Sequence, residues 1–216
     1  MLHDTPITFQ TTDGQTIKVR RMLPADVNLL VHIYRHLSEE SLYQRFREPV
    51  ANLPPLRILE EARVLAEAGY TQGKGFLAFA DLPGSPGTPI AGARYIRTGK
   101  TTAETAITIR DDFQKKGIGT QLLNLIIEEA RKDGIQTLVA NVSANNRAVI
   151  KLLRRYPYPQ KREHYGSEIS IEFDISQEPV TQPGELVRTA MALGLKRQIP
   201  PGHNAKSVKF DRRGRR

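Results

Sequence analysis

The strongest constraint on the fold is a glycine-rich loop that leads into a long amphipathic helix, in the stretch DDFQKKGIGTQLLNLIIEEARKDG from Asp111 to Gly134. Apolar residues recur every fourth position from Ile118, which predicts a helix with one buried face. Glycine costs roughly 1 kcal/mol in a helix interior, so Gly117 and Gly119 need a reason to stand at its start. The first turn of a helix has unpaired N–H groups, and small residues there let an anion such as a phosphate reach the backbone.

Predicted strands and helices surround this loop. Apolar and β-branched residues mark strands over residues 16–22, 75–82, 90–97, 102–110, 136–143 and 168–175. Helices are predicted over residues 25–37, 38–47, from Pro54–Pro55 to 67, 118–132 and 145–155, with a hairpin turn over 83–89. This order predicts a mixed α/β (α+β) sheet whose functional edge lies at the carboxyl end of the strand over 103–110.

The loop fits neither common nucleotide-binding motif. A dinucleotide-binding fingerprint needs a third glycine where Leu122 stands, and the phosphate-loop pattern GxxxxGK[ST] occurs nowhere in the chain. Residues Gln114 to Gly119 read Gln-x-x-Gly-x-Gly, and this pattern resembles the acetyl-CoA loop of the GNAT superfamily of N-acetyltransferases. The similarity extends over about residues 16–175, and Asn146 matches the asparagine that the family carries after its next strand. It implies a GNAT-like acyl-CoA N-acyltransferase fold, with a mixed, mostly antiparallel central sheet flanked by helices.

The resemblance implies how acetyl-CoA would bind. Backbone N–H groups of the loop would hold the pyrophosphate, and a lysine would favour the nucleotide phosphates. A strand edge would pair with the pantetheine amides, because its parallel neighbour over residues 138–142 is expected to splay away. The expected acetyl-CoA contacts are Ile107, Thr108, Ile109, Gln114, Lys115, Lys116, Gly117, Ile118, Gly119, Thr120 and Asn146.

Glu104 is the predicted general base. Ala106 and Thr108 share its face of the strand and are small enough to leave room beside the carboxylate. Without the family context, a solvated strand carboxylate is the better interpretation. The resemblance favours the base, since AE-x-A at this place carries the glutamate thought to act as base in protein-lysine acetyltransferases. A base near neutral pH also calls for burial, which raises the pKa of a carboxyl group.

The proton donor to the leaving thiolate is not assigned. Leu153 stands where many family members carry a tyrosine, while Tyr156 and Tyr158 are nearby candidates. A CoA thiol with a pKa near ~8.5 can also leave as a thiolate without help. The chain has no cysteine and so cannot form an acetyl-cysteine, which favours direct transfer in a ternary complex.

The acceptor amine is less constrained than the donor. The segment LSEESLYQRF, Leu37 to Phe46, resembles a stretch of bacterial protein-lysine acetyltransferases, and an ordinary amphipathic helix is the alternative interpretation. Acetyl transfer from acetyl-CoA to a protein lysine is therefore the predicted function, with a small-molecule amine as the runner-up acceptor. A non-catalytic CoA-sensing or nucleic-acid-tethering module is the hypothesis from another class.

Composition and charge suggest a domain with a tail. We expect a domain over residues 1–176 and a basic extension over 177–216, with a linker and one short helix. The extension carries nine basic and three acidic residues, so it holds two thirds of the net charge of +9. The absence of cysteine, of a signal-peptide pattern and of a long apolar run predicts a cytoplasmic protein. His32 and His36 have the spacing of a zinc pair but lack a third ligand, so no metal is predicted.

Overall fold

The computed structural model describes residues 7–49, 53–177 and 179, which contain an eight-stranded sheet. The strands are β1 (Ile7–Gln10), β2 (Thr16–Arg21), β3 (Gly73–Leu82), β4 (Ser85–Arg97), β5 (Thr102–Ile109), β6 (Thr137–Ser143), β7 (Gln160–Tyr165) and β8 (Glu168–Asp174). Their order in the sheet is β1-β2-β3-β4-β5-β6-β8-β7. Among these strands only β5 and β6 pair in parallel, so the mixed, mostly antiparallel sheet that was predicted is confirmed.

Helices cover both faces of the sheet. The α-helices are α1 (Val27–Arg35), α2 (Glu39–Phe46), α3 (Pro55–Thr71), α4 (Ile118–Lys132) and α5 (Arg147–Arg154). Buried residues of α1, α2 and α3 form one apolar cluster with β3. Buried residues of α4 and α5 pack into a second cluster on the opposite face. Each helix thus buries one apolar stripe against the sheet, as the periodicity of its sequence predicts.

Up to residue 175 the predicted strands and helices are all present, with two strands that the sequence pattern did not reveal. β1 is a short, mostly exposed edge strand, and β7 has the polar sequence QKREHY at the opposite edge. Edge strands bury little side-chain surface, so they carry no apolar alternation. The turn between β3 and β4 is shorter than predicted because β4 already begins at Ser85, and α3 extends one turn further, to Thr71.

The two parallel strands separate partway along their length. β5 and β6 pair from Thr102 with Thr137 to Glu104 with Val139, and no further pairs follow. β5 nevertheless continues to Ile109, paired only with β4, while β6 continues to Ser143, paired only with β8. The separation begins about two residues later on β6 than predicted, and it opens a cleft in the middle of the sheet.

The basic extension lies almost entirely outside the described residues. The predicted linker and short helix, and the domain boundary at residue 176, therefore stay predictions. In the described part of the chain, no helix is both long and apolar enough to cross a membrane.

Candidate active site

The loop between β5 and α4 has an alternating backbone conformation. Lys115 and Gly117 have φ angles of +60° and +83°, while Lys116 between them has a negative φ. Such alternation turns successive N–H groups toward one side and makes a concavity that binds anions. Within the described part of the chain, the N–H groups of residues 115–120 have no hydrogen-bond acceptor. The loop therefore presents the free amides that a pyrophosphate requires.

The two glycines of the loop have different roles. Gly117 adopts a left-handed conformation at the N-cap of α4, which other residues reach only at a cost in free energy. Gly119 has no positive φ, and a Cβ atom there would lie 3.4 Å from Ile109 Cδ1 and 3.5 Å from Leu152 Cδ2. These are ordinary contacts with the protein interior. The positive φ gives Gly117 a conformational role, and the expectation that both glycines allow the close approach of an anion stays a prediction.

The two lysines of the loop are also distinct. The Nζ of Lys116 lies 3.0 Å from a carboxylate oxygen of Asp13 and 5.1 Å from the centre of the Phe113 ring. Its carbonyl oxygen accepts a hydrogen bond from the N–H of Thr12, at 3.1 Å. Lys115 is exposed and has no ion pair among the described residues. Lys115 is therefore the lysine whose charge is free to meet a phosphate.

Gln114 and Asp111 attach this loop to α2. The side-chain amide of Gln114 donates to the carbonyl of Ile109 (3.2 Å) and to Asp111 Oδ1 (2.5 Å). Asp111 in turn accepts hydrogen bonds from the N–H of Ser38 (2.5 Å) and the hydroxyl of Ser41 (2.6 Å). Burial raises the pKa of the Asp111 carboxyl, but the hydrogen bonds from Ser41 and Ser38 outweigh it and hold this pKa below its ordinary value.

These contacts give the segment LSEESLYQRF a structural meaning. Ser38 is the N-cap of α2, and its hydroxyl accepts a hydrogen bond from the N–H of Ser41. The same two serines bind Asp111, so α2 begins against the anion-binding loop. Asp112 instead forms an ion pair with the buried Arg110, at 2.9 Å. Asp111 thus contacts a helix that is distant from it in sequence.

One edge of β5 faces the cleft beyond the last parallel pair. Ile107 and Ile109 pair with Ala93 and Ala91 of β4 on one edge, while the other edge has no partner strand among residues 7–49 and 53–177. The side chains of Ile107 and Ile109 pack on the α4 side of the sheet, and Thr108 lines a small pocket on the opposite face. The backbone groups of this edge are thus available to the amides of an extended ligand.

Glu104 lies where β5 and β6 make their last pair. Its side chain is partly exposed and projects to the same face as Ala106 and Thr108. It forms no hydrogen bond or ion pair with any described residue. A carboxylate with an unoccupied oxygen beside an open cleft can accept a proton from an incoming amine.

Asn146 and Tyr156 flank the other side of the cleft. Asn146 is the N-cap of α5, and its Oδ1 accepts a hydrogen bond from the N–H of Val149 at 3.1 Å. Its two N–H donors remain available, since they contact no acceptor in the described part. The Tyr156 hydroxyl contacts the Thr120 carbonyl (3.0 Å) and Asn124 Oδ1 (2.8 Å), and burial raises its pKa. Tyr156 is therefore protonated but directed onto α4.

His32 of α1 and His36 at its C-cap contact each other and Arg110. The rings of His32 and His36 stack with centroids 4.3 Å apart, and Nε2 of His32 lies 3.2 Å from Arg110. Burial, the neighbouring His36 and then Arg110 lower the pKa of His32. No group of three His, Cys, Asp or Glu side chains that could hold a metal ion occurs within the described residues.

The described residues thus combine an amide-lined loop, a split parallel pair and a carboxylate at the split. A model of the acetyltransferase (GNAT) family matches residues 32–156, more than half of the chain, and the protein belongs to this family of acyl-CoA-dependent enzymes.

Two relatives match most of this chain. The chain is 34% identical over 164 residues to acetyltransferase Pat of Mycolicibacterium smegmatis, covering 75% of this chain and 47% of that protein. It matches the crystal structure of the GNAT domain of S. lividans PAT with a TM-score of 0.67 and 28% identity, covering 81% of this chain and 99% of that one.

A shorter similarity concerns an L-methionine sulfoximine/L-methionine sulfone acetyltransferase of Pseudomonas aeruginosa. The identity is 36% over 78 residues, which is 33% of this chain and 45% of that enzyme. The chain thus spans about half the length of the curated relatives that it matches.

Proposed function

We propose that the protein transfers the acetyl group of acetyl-CoA to a lysine side chain of a protein substrate, by direct attack in a ternary complex. The observation that carries this proposal is the cleft between β5 and β6, which starts at Glu104 and ends at the free amides of residues 115–120. A donor bound along this cleft would extend from the loop toward the carboxylate. We also propose a cytoplasmic location, in keeping with the absence of cysteine.

The chain's own residues would bind and orient the donor. The N–H groups of residues 115–120 would bind the pyrophosphate, and Lys115 would add a positive charge. The free edge of β5 from Ile107 to Ile109 and the amide group of Asn146 would bind the pantetheine arm from opposite sides of the cleft. A backbone N–H near Ile109 would donate to the thioester oxygen and stabilise the negative charge that develops during attack.

Glu104 would accept the proton that the attacking amine must lose. The nitrogen forms a bond to the thioester carbon, the carbon–sulfur bond breaks, and the sulfur takes the electron pair. A CoA thiol has a pKa near ~8.5, so the departing thiolate needs little assistance. Tyr156 is not assigned as its proton donor, because its hydroxyl already contacts Thr120 and Asn124.

Two features favour a protein lysine. The segment LSEESLYQRF, which contains α2, resembles a stretch of bacterial protein-lysine acetyltransferases and is tied to the donor loop through Asp111. Relatives named Pat also match most of this chain. A small-molecule amine is the second candidate, because the chain is 36% identical over 78 residues to an L-methionine sulfoximine/L-methionine sulfone acetyltransferase.

The proposal is tested by incubating the protein with isotope-labelled acetyl-CoA and a cell lysate, followed by mass-spectrometric mapping of labelled lysines. Glu104→Gln should lower kcat by about 100-fold or more, while calorimetry should show coenzyme A binding within about twofold of wild type. Glu60→Gln, at an exposed glutamate of α3, is the matched control and should behave like the wild type. Labelling at the wild-type rate by the Glu104 variant would remove the assigned base.

A second arm separates the two acceptor classes. Lysine peptides and free amino acids are offered at equal concentrations, and the rate of CoA release is measured for each. Faster release with peptides supports the protein-lysine assignment. Release with amino acids alone would replace it by the small-molecule function.

A further inference from the structure

Arg94 lies on β4 directly opposite Ala106 of β5, and so projects to the same face as Glu104. Its side chain is only partly exposed, and it lines a small pocket between the sheet and helices α1 to α3. Arg45 of α2 lines the same pocket, as do Ala106 and Thr108 of β5. Two arginines therefore face the side of the sheet where an acceptor amine would meet Glu104.

Arg94 has no counterion in the described part of the chain. No carboxylate oxygen of the described residues lies within 4.0 Å of its guanidinium. No hydrogen bond joins the guanidinium to another described residue. Glu61 is the nearby carboxylate, but Arg45 occupies its Oε1 at 2.6 Å and Arg57 its Oε2 at 3.2 Å. Glu104 attracts Arg94 through space without forming an ion pair.

This arrangement is unfavourable unless an anion joins it. A guanidinium keeps its charge at all physiological pH values, so burial cannot be relieved by loss of a proton. Arg45 adds a second positive charge, and the Nε of Arg45 is itself buried without a hydrogen-bond partner among the described residues. A partly buried cation without a counterion is costly, and a carboxylate placed against it recovers that cost through charge-assisted, bidentate hydrogen bonds.

We propose that Arg94 binds a carboxylate that the acceptor carries close to its reactive amine. This inference rests on the proposed acetyl transfer, and in a protein substrate the carboxylate is an Asp or Glu side chain near the acetylated lysine. Glu104 pairs with Ile96, two residues from Arg94 on β4, and such diagonal cross-strand neighbours lie about 7–8 Å apart. A lysine Nζ at Glu104 and a carboxylate at Arg94 can therefore belong to one acceptor. The α-carboxylate of a free amino acid has the same chemistry.

The phosphates of coenzyme A do not explain Arg94. Their binding loop begins after Ile109, and the side chains of Ile107 and Ile109 pack on the opposite face of the sheet from Arg94. The acceptor side of the cleft is therefore the place where an anion could meet this arginine.

The test uses peptide pairs that contain one lysine and either Glu or Gln, moved through each position within four residues of the lysine. We expect the wild type to prefer Glu by about tenfold or more in kcat/KM at one or two positions. Arg94→Gln should abolish that preference, and Arg94→Lys should retain part of it. Arg97→Gln, at an exposed arginine on the same strand, is the control and should keep the wild-type preference.

The same pairs are titrated calorimetrically into the CoA-loaded protein, so that binding is measured apart from turnover. Equal binding and equal kcat/KM for every Glu and Gln pair would overturn the proposal. An equal loss of kcat/KM with the Glu and the Gln peptide in Arg94→Gln would also overturn the proposal. Such a result would mean that Arg94 acts on Glu104 or on the lysine amine and not on an acceptor carboxylate.

The two sources of the carboxylate are distinguished by a final comparison of free amino acids with their carboxamides. A preference for the free acids that is lost in Arg94→Gln, without transfer to any lysine peptide, supports the carboxylate site and rejects the protein-lysine function. Transfer to peptides without any preference for Glu supports the function and rejects the site.

Discussion

Gly117 and Gly119 offer a sharp test of the donor loop, because they lie two residues apart and only Gly117 has a left-handed backbone conformation. Gly117 has a φ of +83°, and Gly119 has no positive φ. An L-residue in the left-handed region costs about 1–2 kcal/mol. If Gly117→Ala relaxes to another conformation when coenzyme A is absent, binding must restore the strained loop.

That cost sets the expected magnitude. About 1–2 kcal/mol corresponds to a dissociation constant for coenzyme A that is about 5- to 30-fold higher in Gly117→Ala. A Cβ at Gly117 would lie 3.4 Å from Thr12 Cγ2, an ordinary contact, so strain rather than collision is the cause. In Gly119→Ala the new Cβ contacts Ile109 and Leu152 at 3.4 and 3.5 Å, and binding should change by less than about twofold.

Isothermal titration of coenzyme A into each variant measures the dissociation constant, and thermal unfolding verifies that both variants are folded. Gly119→Ala is the matched control, since alanine also favours the helix by up to about 1 kcal/mol. Wild-type affinity in Gly117→Ala would refute the role of the left-handed conformation. A loss in Gly119→Ala as large as that in Gly117→Ala would show that bulk in the loop, not backbone strain, controls binding.

The remaining predictions concern side chains around the loop. Asp111→Asn should lower the free energy of unfolding at pH 7 by about 1.5–3 kcal/mol in urea titrations, because it weakens the hydrogen bonds from Ser38 and Ser41. The pKa of Asp111 is lowered in the folded protein, so its contribution to stability is present above about pH 4 and is lost as the pH falls through the folded-state pKa. The assignment would be contradicted if the Asn variant lost as much stability as the wild type over this pH range. Tyr156→Phe should cost about 0.5–1.5 kcal/mol of stability and leave kcat within about twofold, whereas a loss of kcat of about 100-fold would identify Tyr156 as the proton donor.

The elements that the sequence predicted well are those with a strong local signal. The apolar stripe of α4 is buried from Ile118 to Ala130, and Gly117 and Gly134 bound this helix with positive φ angles. Such periodicity reflects one-sided burial, which the chain must satisfy whatever the rest of the fold is. β1 and β7 were missed because edge strands leave no comparable pattern.

The candidate site was predictable only in part. The pattern from Gln114 to Gly119 identified the loop, yet nothing in it distinguishes Lys115, which is exposed, from Lys116, which pairs with Asp13. Arg94 also escaped notice. A charged residue inside the otherwise apolar strand IAGARYIR was the signal that could have singled it out.

The sequence by itself determined the order of strands and helices, the anion-binding loop and its family, because these depend on periodicity and on residues adjacent in the chain. Only the tertiary structure decided where β5 and β6 separate, which helix Asp111 contacts and that Arg94 lacks a counterion among the described residues. Those facts depend on strand register and on side chains separated by tens of residues, and the free energy of a charge or hydrogen bond depends on what lies around it in space. The surroundings of Glu104 and Arg94 are accordingly a property of the folded chain, while the glycine-rich loop is already visible in its sequence.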